Sequence, residues 1–89
     1  MKKKEIKILL VDDEQDILEI VGYNLAQEGY QIVTAINGKE AVLKAKKELP
    51  HLIIMDVMMP EMDGIEACEH IRKIPELSNV IVAFLTARS

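Results

Sequence analysis

Three aspartates follow directly on apolar runs of the sequence. Asp12 and Asp13 come after Ile8–Val11, and Asp56 comes after Leu52–Met55. Such runs are typical of buried strands, and the carboxyl ends of parallel strands are where open α/β sheets place their ligands. Carboxylates brought together in this way repel one another unless a hard cation neutralises them. The spacing therefore predicts a metal site at one edge of a sheet.

Magnesium suits this set of residues because it prefers oxygen ligands and is commonly bound through one or two carboxylates and a phosphate. An aspartate carboxylate can also act as a nucleophile and become an aspartyl phosphate when a metal screens the incoming phosphoryl group. Thr86 ends a further apolar run, and its hydroxyl can donate a hydrogen bond to a phosphoryl oxygen. The residue types thus favour phosphoryl chemistry assisted by Mg²⁺.

The rest of the chain alternates buried strands with amphipathic helices. We predict strands at residues 8–11, 31–35, 52–55 and 80–85, and helices over residues 14–28, 39–48 and 64–74. Their order, βαβαβαβ, predicts an α/β fold with a doubly wound parallel sheet that is covered by helices on both faces. Right-handed crossovers then give the strand order 2-1-3-4, which places the ends of the first and third strands side by side.

Helical spacing also predicts which side chains face the core. They are Ile17, Leu18, Val21 and Leu25 in the first helix, Ala41, Val42, Ala45 and Leu49 in the second, and Ile65, Cys68 and Ile71 in the third. Gly29 is predicted to end the first helix, while Pro50 and Pro75 are expected to stop the other two.

Length, composition and charge limit the classes of protein to which this chain can belong. The 89 residues suit one domain, residues 1–89, and 49% of them are hydrophobic, which predicts a globular chain with a core. The net charge of −4 and the lack of a basic stripe argue against direct nucleic-acid binding by this segment. The lysines at 2–4 are interpreted as a solvated terminus, with no signal peptide or membrane segment. A single cysteine, Cys68, agrees with the predicted cytoplasmic location.

Some of these residues also have a purely structural interpretation. Asp12 and Asp13 taken alone could cap the helix that follows them, and Asp63 before Gly64 is better explained by turn and cap chemistry than by ligation. His51 and His70 are predicted to be surface residues. The methionines around Asp56 are expected to pack and to shape a loop, because soft thioethers do not suit a site of hard oxygen ligands.

Three separated segments carry a resemblance to a known family. Leu-Val-Asp-Asp-Glu at 10–14, Asp-Val-Met-Met-Pro-Glu-Met-Asp-Gly at 56–64 and Leu-Thr-Ala at 85–87 closely resemble response-regulator receiver domains of two-component signalling. The resemblance covers nearly the whole chain. It implies a flavodoxin-like fold and a phosphorelay role, in which a sensor histidine kinase donates a phosphoryl group from its phosphohistidine.

The resemblance also implies roles for individual residues. Asp56 would be the phospho-acceptor, Asp13 would bind Mg²⁺ directly, and Asp12 would act on the metal largely through water. The backbone carbonyl of Met58 would be a further metal ligand, and Thr86 would be the switch hydroxyl. Ala87 matches the small residue that follows the switch hydroxyl in the family, and Pro60 and Gly64 match positions that shape the loop before the third helix.

The family pattern has five βα units, and the sequence ends soon after the fourth predicted strand. A fourth helix, a fifth strand and a fifth helix cannot be assigned, and neither can the family's lysine and aromatic residue of the fifth strand. We therefore expect an incomplete, truncated receiver domain that does not switch fully. We also expect self-association through the exposed fourth strand, residues 80–85, because a long apolar edge invites pairing with another chain.

Three functions from different classes fit the residues unequally. The best fit is a phospho-accepting signalling module that is not an enzyme and catalyses only its own phosphotransfer. An alternative is a non-switching module that binds metal or a partner. A Mg²⁺-dependent phosphohydrolase ranks lower, because Met58 stands where such enzymes commonly place a second acid. A dinucleotide site is excluded by the acidic residues at 12–14, where a glycine-rich loop would be needed.

Overall fold

Residues 1–85 are described by the computed structural model of the chain. The strands are Lys7–Val11 (β1), Gln31–Ala35 (β2), Leu52–Asp56 (β3) and Ile81–Leu85 (β4), and the helices are Gln15–Gln27 (α1), Gly38–Glu48 (α2) and Gly64–Arg72 (α3). The strands form one parallel sheet in the order β2-β1-β3-β4, which confirms the predicted fold. Short 3₁₀ turns at Lys3–Glu5 and Pro75–Leu77 were not predicted.

β1 lies at the centre of the sheet. Its Leu9 pairs with Val33 on β2 and with Ile53 on β3, and the last four residues of the strand are buried. This burial explains why the strand has apolar residues on both faces, since both faces are covered by helices.

The helices divide between the two faces of the sheet. Gly22 of α1 lies against Leu10 of β1 and Ile32 of β2. The opposite face of the sheet packs with α2 and α3 in one buried cluster that contains Leu9, Val11, Ala35, Ala41, Ala45, Ile53, Met55, Met59, Ala67, Cys68, Ile71 and Leu77. Four of the helix residues predicted to face the core belong to this cluster, namely Ala41, Ala45, Cys68 and Ile71.

Polar side chains and one glycine define the helix ends. Oδ1 of Asn37 accepts the N–H of Glu40 at 2.7 Å, and Oδ1 of Asp63 accepts the N–H of Glu66 at 2.8 Å, so each residue caps a helix. Gly29 follows α1 with a φ of 104°, as expected of a glycine just beyond a helix C-terminus.

Two predicted core residues of the helices are exposed. Ile65 lies in the first turn of α3, where Ala67 is the residue that turns toward the sheet. Leu49 caps α2 in the left-handed conformation, with a φ of 47°, so the helical periodicity that predicted its burial has already ended there.

β4 is an edge strand of the sheet formed by residues 1–85. It pairs with β3 on one side, and its Ile81 is 67% exposed.

Within residues 1–85, no helix has both the length and the apolar character that are needed to span a bilayer.

Candidate metal centre

The sheet delivers two of the three aspartates to the same edge. Asp56 is the last residue of β3, and Asp12 follows the last residue of β1. Val11 pairs with Met55, so the next residue on each strand continues the same register. The N–H of Asp12 donates to the carbonyl of Ala35 at 3.2 Å, which extends the ladder between β1 and β2 by one step. The two carboxylates are therefore positioned by backbone pairing at the centre of the sheet.

The three predicted acidic residues come together. Asp12, Asp13 and Asp56 each offer a carboxylate oxygen, and these oxygens all lie within 4.8 Å of one another. Asp12 and Asp56 are each only 1% exposed, whereas Asp13 is exposed to solvent. Taking carboxylates out of water at this spacing is costly unless positive charge compensates them. The arrangement is thus a candidate site for a cation that can be reached from solvent on the Asp13 side.

Hydrogen bonds from the following backbone orient the two buried carboxylates. Oδ1 of Asp12 accepts the N–H of Glu14 at 2.8 Å, and Oδ1 of Asp56 accepts the N–H of Met58 at 3.1 Å. Each bond spans two residues and closes a small turn of the kind that aspartate side chains commonly form. The carboxylates are consequently held toward the edge of the sheet by turns that their own chain segments supply.

The loop between β3 and α3 is held close to Asp56. The N–H of Gly64 donates to the carbonyl of Val57 at 3.0 Å, and a Cβ placed on Gly64 would clash with the carbonyl oxygen of Asp56. Only glycine allows the two chain segments to approach this closely. This contact gives a physical reason for the loop-shaping role that was predicted for Gly64.

An open cleft of about 410 Å³ runs along the same loop. It is lined by Val57, Met58, Met59, Pro60 and Asp63. The cleft borders the loop that follows Asp56, but none of the three clustered aspartates lines it. The acidic cluster, not the cleft, carries the groups that can do chemistry.

The donor set fits a hard cation. Asp12, Asp13 and Asp56 each offer a carboxylate oxygen, and the loop after Asp56 is tied to them by the hydrogen bond from the N–H of Met58 to Asp56. Oxygen ligands of this kind suit Mg²⁺ or Ca²⁺ and not soft metals. The side chain of Met58 is exposed, while Met55 and Met59 are buried in the core, which agrees with packing roles for these two thioethers.

The remaining candidate residues lie elsewhere or outside the described chain. Thr86 and Ala87 fall beyond residue 85. His51 lies at the opposite end of the sheet, where its Nδ1 accepts the N–H of Lys7 at 3.0 Å. Cys68 is buried in the core as a free cysteine. Capping of α3 by Asp63 confirms that this carboxylate has a structural role.

One residue that contacts the loop was missed by the sequence interpretation. The sequence predicts the second helix from residue 39, but α2 begins at Gly38, which lies close against Met62 of the β3–α3 loop. The sequence signal for this contact is the glycine itself. Because glycine is a poor helix former, its presence at the start of a helix indicates that a neighbouring segment approaches closely.

Comparison with known proteins defines the class of this protein. Residues 8–89 match the family described as "Response regulator receiver domain". The match covers almost the whole chain, and the fold and acidic edge described above agree with it. The chain therefore belongs to the response-regulator receiver family, a family of signalling domains that accept phosphoryl groups in two-component systems.

Individual relatives are similar over most of this chain. The alkaline phosphatase synthesis transcriptional regulatory protein PhoP of Bacillus subtilis is 51% identical over 67 residues, which cover 75% of this chain and 28% of that protein. The phosphate regulon transcriptional regulatory protein PhoB of Rhizobium meliloti is 39% identical over 92% of this chain and 36% of that protein. The chain thus spans about a third of the length of these curated relatives.

Solved structures show the same fold. The chemotaxis protein CheY4 of Vibrio cholerae matches with a TM-score of 0.89 and 36% identity, over 94% of this chain and 70% of that chain. The receiver domain of the sensor histidine kinase PA1611 from Pseudomonas aeruginosa matches with a TM-score of 0.87 and 30% identity, over 93% of this chain and 68% of that chain. That structure is described as having a magnesium ion coordinated in its active-site cleft.

Proposed function

We propose that Asp56 accepts a phosphoryl group from the phosphohistidine of a sensor histidine kinase, at a Mg²⁺ site formed by Asp12, Asp13, Asp56 and the carbonyl of Met58. The observation that carries the proposal is the cluster itself, in which carboxylate oxygens from the ends of two neighbouring strands lie within 4.8 Å of one another. The magnesium site of the similar PA1611 receiver domain supports the choice of metal.

The proposed reaction is a transfer between two nucleophiles. A carboxylate oxygen of Asp56 attacks the phosphorus atom, the P–N bond of the phosphohistidine breaks, and the imidazole leaves with its electron pair and takes up a proton. The product is an aspartyl phosphate. The N–H of Met58 holds Oδ1 of Asp56, so the nucleophile has a fixed orientation before the donor arrives. Mg²⁺, when bound, neutralises charge on the carboxylates and on the transferring group.

Thr86 is proposed to donate its hydroxyl to a phosphoryl oxygen on Asp56. Leu85 pairs with Asp56 across β3 and β4, and Thr86 is the next residue in the sequence. Thr86→Val keeps the shape of the side chain without the hydroxyl. We expect this variant to accept the phosphoryl group more slowly than the wild type, and an unchanged rate would rule out this role.

Incubation with Mg²⁺ and a small acyl phosphate tests the acceptor, with intact-mass spectrometry as the readout. We expect one phosphoryl adduct on the wild type and none on Asp56→Asn. The matched control is Asp63→Asn, since Asp63 is an aspartate of the same loop that caps α3, and this variant should still form the adduct. An adduct that survives Asp56→Asn would refute Asp56 as acceptor.

Purified phosphohistidine donor can replace the acyl phosphate to test the proposed partner. Transfer to the wild type but not to Asp56→Asn would support a histidine kinase as the donor. Transfer from acyl phosphate alone would favour a module that is phosphorylated by small molecules.

Self-association through β4 is part of the same proposal. β4 is a sheet edge with no charged side chain, and both Ile81 and Phe84 are exposed on it. Such an edge offers backbone N–H and C=O groups to a second copy of the chain. Light scattering on the 89-residue chain measures this directly.

A further inference from the structure

Gly38, the first residue of α2, is in close contact with the loop that carries the proposed site. A Cβ placed on Gly38 would lie 2.7 Å from the carbonyl oxygen of Met62 and 2.9 Å from both Cβ and Cγ of Met62. Contacts of this length do not occur at real Cβ atoms, so a larger residue requires movement. The nearest atom belongs to the backbone of Met62, and rotation of its side chain cannot relieve the contact.

α2 is not free to move away from the loop. Oδ1 of Asn37 accepts the N–H of Glu40 at 2.7 Å, while Oε1 of Glu40 accepts the N–H of Ile36 at 3.1 Å. These two bonds form a reciprocal cap at the start of the helix. Further along, Ala41 and Ala45 are fully buried against the core. A larger side chain at position 38 should therefore displace the β3–α3 loop and not α2.

The loop is tightly constructed between Asp56 and Gly64. Glu61 has a φ of 69°, and the N–H of Met62 donates to the carbonyl of Pro60 at 2.8 Å. A non-glycine residue with positive φ persists where its surroundings determine its conformation. Because the segment between Met58 and Met62 is short and tightly turned, a displacement of Met62 should also displace Met58.

We propose that Gly38 is a positioning residue for the centre: its lack of a side chain lets α2 seat the β3–α3 loop so that Met58 is held against Asp56. The inference rests on the function proposed above, since Met58 supplies the N–H to Asp56 and the carbonyl for Mg²⁺. Gly38 itself is not one of the proposed metal ligands. It acts through Met62.

Gly38→Ala tests the proposal, with Gly22→Ala as the matched control. Both glycines are buried helical residues, but a Cβ on Gly22 would meet only Ile32 at 3.7 Å and Leu10 at 3.9 Å, which are ordinary contacts. We expect Gly38→Ala to bind Mg²⁺ about tenfold more weakly, the size of effect seen when the surroundings of metal ligands are altered. Gly22→Ala should bind as the wild type does.

The amide resonance of Met58 in ¹⁵N spectra of the metal-free protein gives a readout that a general loss of stability would not move. It reports the bond to Asp56, and we expect it to shift in Gly38→Ala and to stay in place in Gly22→Ala. A folded Gly38→Ala protein with an unshifted Met58 amide and wild-type Mg²⁺ affinity would overturn the inference.

A second variant covers the case in which Gly38→Ala does not fold. Combining Gly38→Ala with Met62→Ala removes the Cγ that would lie 2.9 Å from the new Cβ and so eases the overpacking, but it leaves the backbone carbonyl at 2.7 Å. The Mg²⁺ affinity of this double variant should still fall. Wild-type affinity in this variant would count against the proposal. If the wild type itself binds no Mg²⁺ and takes no phosphoryl group, the proposed function fails, and that result is distinct from a failure of Gly38 alone.

Discussion

The backbone N–H of Met58 donates a hydrogen bond of 3.1 Å to Oδ1 of Asp56. One short turn thereby joins the proposed phospho-acceptor to the residue whose carbonyl is proposed to bind the metal. Asp12 forms the equivalent turn with Glu14 at 2.8 Å. Because the backbone itself orients both buried carboxylates, little reorganisation is needed when a cation binds, which favours tight and geometrically defined binding.

Removal of one carboxylate should weaken Mg²⁺ binding. Asp13→Asn replaces the exposed member of the cluster, so the fold is little affected, and the affinity for Mg²⁺ should fall by at least about tenfold because a charged ligand is lost. Calorimetric titration with Mg²⁺ measures the change. The control is Asp63→Asn, which alters an aspartate with a capping role. Equal affinities for wild type and Asp13→Asn would exclude Asp13 as a ligand.

Asp56→Asn should stabilise the metal-free protein. Oxygens of the buried carboxylates of Asp12 and Asp56 lie within 4.8 Å of each other, so removal of one negative charge relieves repulsion between them. Asparagine keeps an oxygen that can accept the N–H of Met58. Each 1 kcal/mol recovered raises the melting temperature by about 5 °C in a domain of this size.

Thermal unfolding with and without Mg²⁺ checks this expectation. The wild type should gain stability on addition of Mg²⁺, and Asp56→Asn should gain much less. A metal-free variant that melts below the wild type would show that relief of the repulsion between the two carboxylates is outweighed by other effects of the substitution.

Gly64→Ala should disrupt the site and the fold together. The added Cβ would clash with the carbonyl oxygen of Asp56, which is backbone and cannot rotate away. We expect a loss of about 3 kcal/mol of unfolding free energy, at the upper end of what overpacking costs, and loss of the phosphoryl adduct. Urea denaturation measures the first effect. Gly22→Ala serves as the control and should unfold at or above the wild-type urea concentration.

The sheet and its acidic edge could be predicted because each depends on local patterns. Apolar runs at β1 and β3 predict buried strands, and the right-handed crossover rule then places Asp12 beside Asp56. The helix cap at Asp63 follows from residue type alone. The cluster was found from sequence because strand pairing converts two distant positions into neighbours without any detail of side-chain packing.

Features that depend on packing between elements could not be predicted in the same way. The contact of Gly38 with Met62 joins α2 to a loop that is distant in the sequence, and no local pattern encodes it. Ile65 and Leu49 have the spacing of core residues but lie where the helices begin or end, so small changes of helix phase leave them exposed. Contacts of this kind are determined by how neighbouring elements pack.

Lys7 and Glu48 connect β1 to the end of α2 and should make stability depend on pH. Nζ of Lys7 lies 2.9 Å from Oε1 of Glu48 and also donates to the Glu48 carbonyl at 3.3 Å. The hydrogen bond from Lys7 is the main cause that lowers the pKa of Glu48 from its ordinary value of 4.5, and the charge of Lys7 adds to it. A lowered pKa in the folded state stabilises the fold when the carboxylate is ionised.

The stabilisation is therefore present above the pKa of Glu48 in the unfolded chain and is lost as the pH falls through its lower folded value. We expect the melting temperature of the wild type to exceed that of Glu48→Gln at about pH 7, and the difference to disappear in acid below that folded value. Glu28→Gln is the control, because the Lys3–Glu28 pair is more exposed and should contribute less. A gap between wild type and Glu48→Gln that does not change with pH would contradict the assignment.

A charge placed on β4 should prevent the proposed self-association. Ile81 is 67% exposed on a strand that carries no charged side chain. Lysine on an edge strand opposes pairing with another edge, because its charge would have to be desolvated or placed beside its own copy. We expect Ile81→Lys to reduce the average mass in light scattering toward that of a single chain.

Ile20→Lys is the control, since Ile20 is 61% exposed on α1, away from the sheet edge, and it should leave the mass unchanged. A wild type that scatters as a single chain at high concentration would remove the basis for pairing through β4, and equal loss of mass in both variants would place the contact elsewhere on the surface.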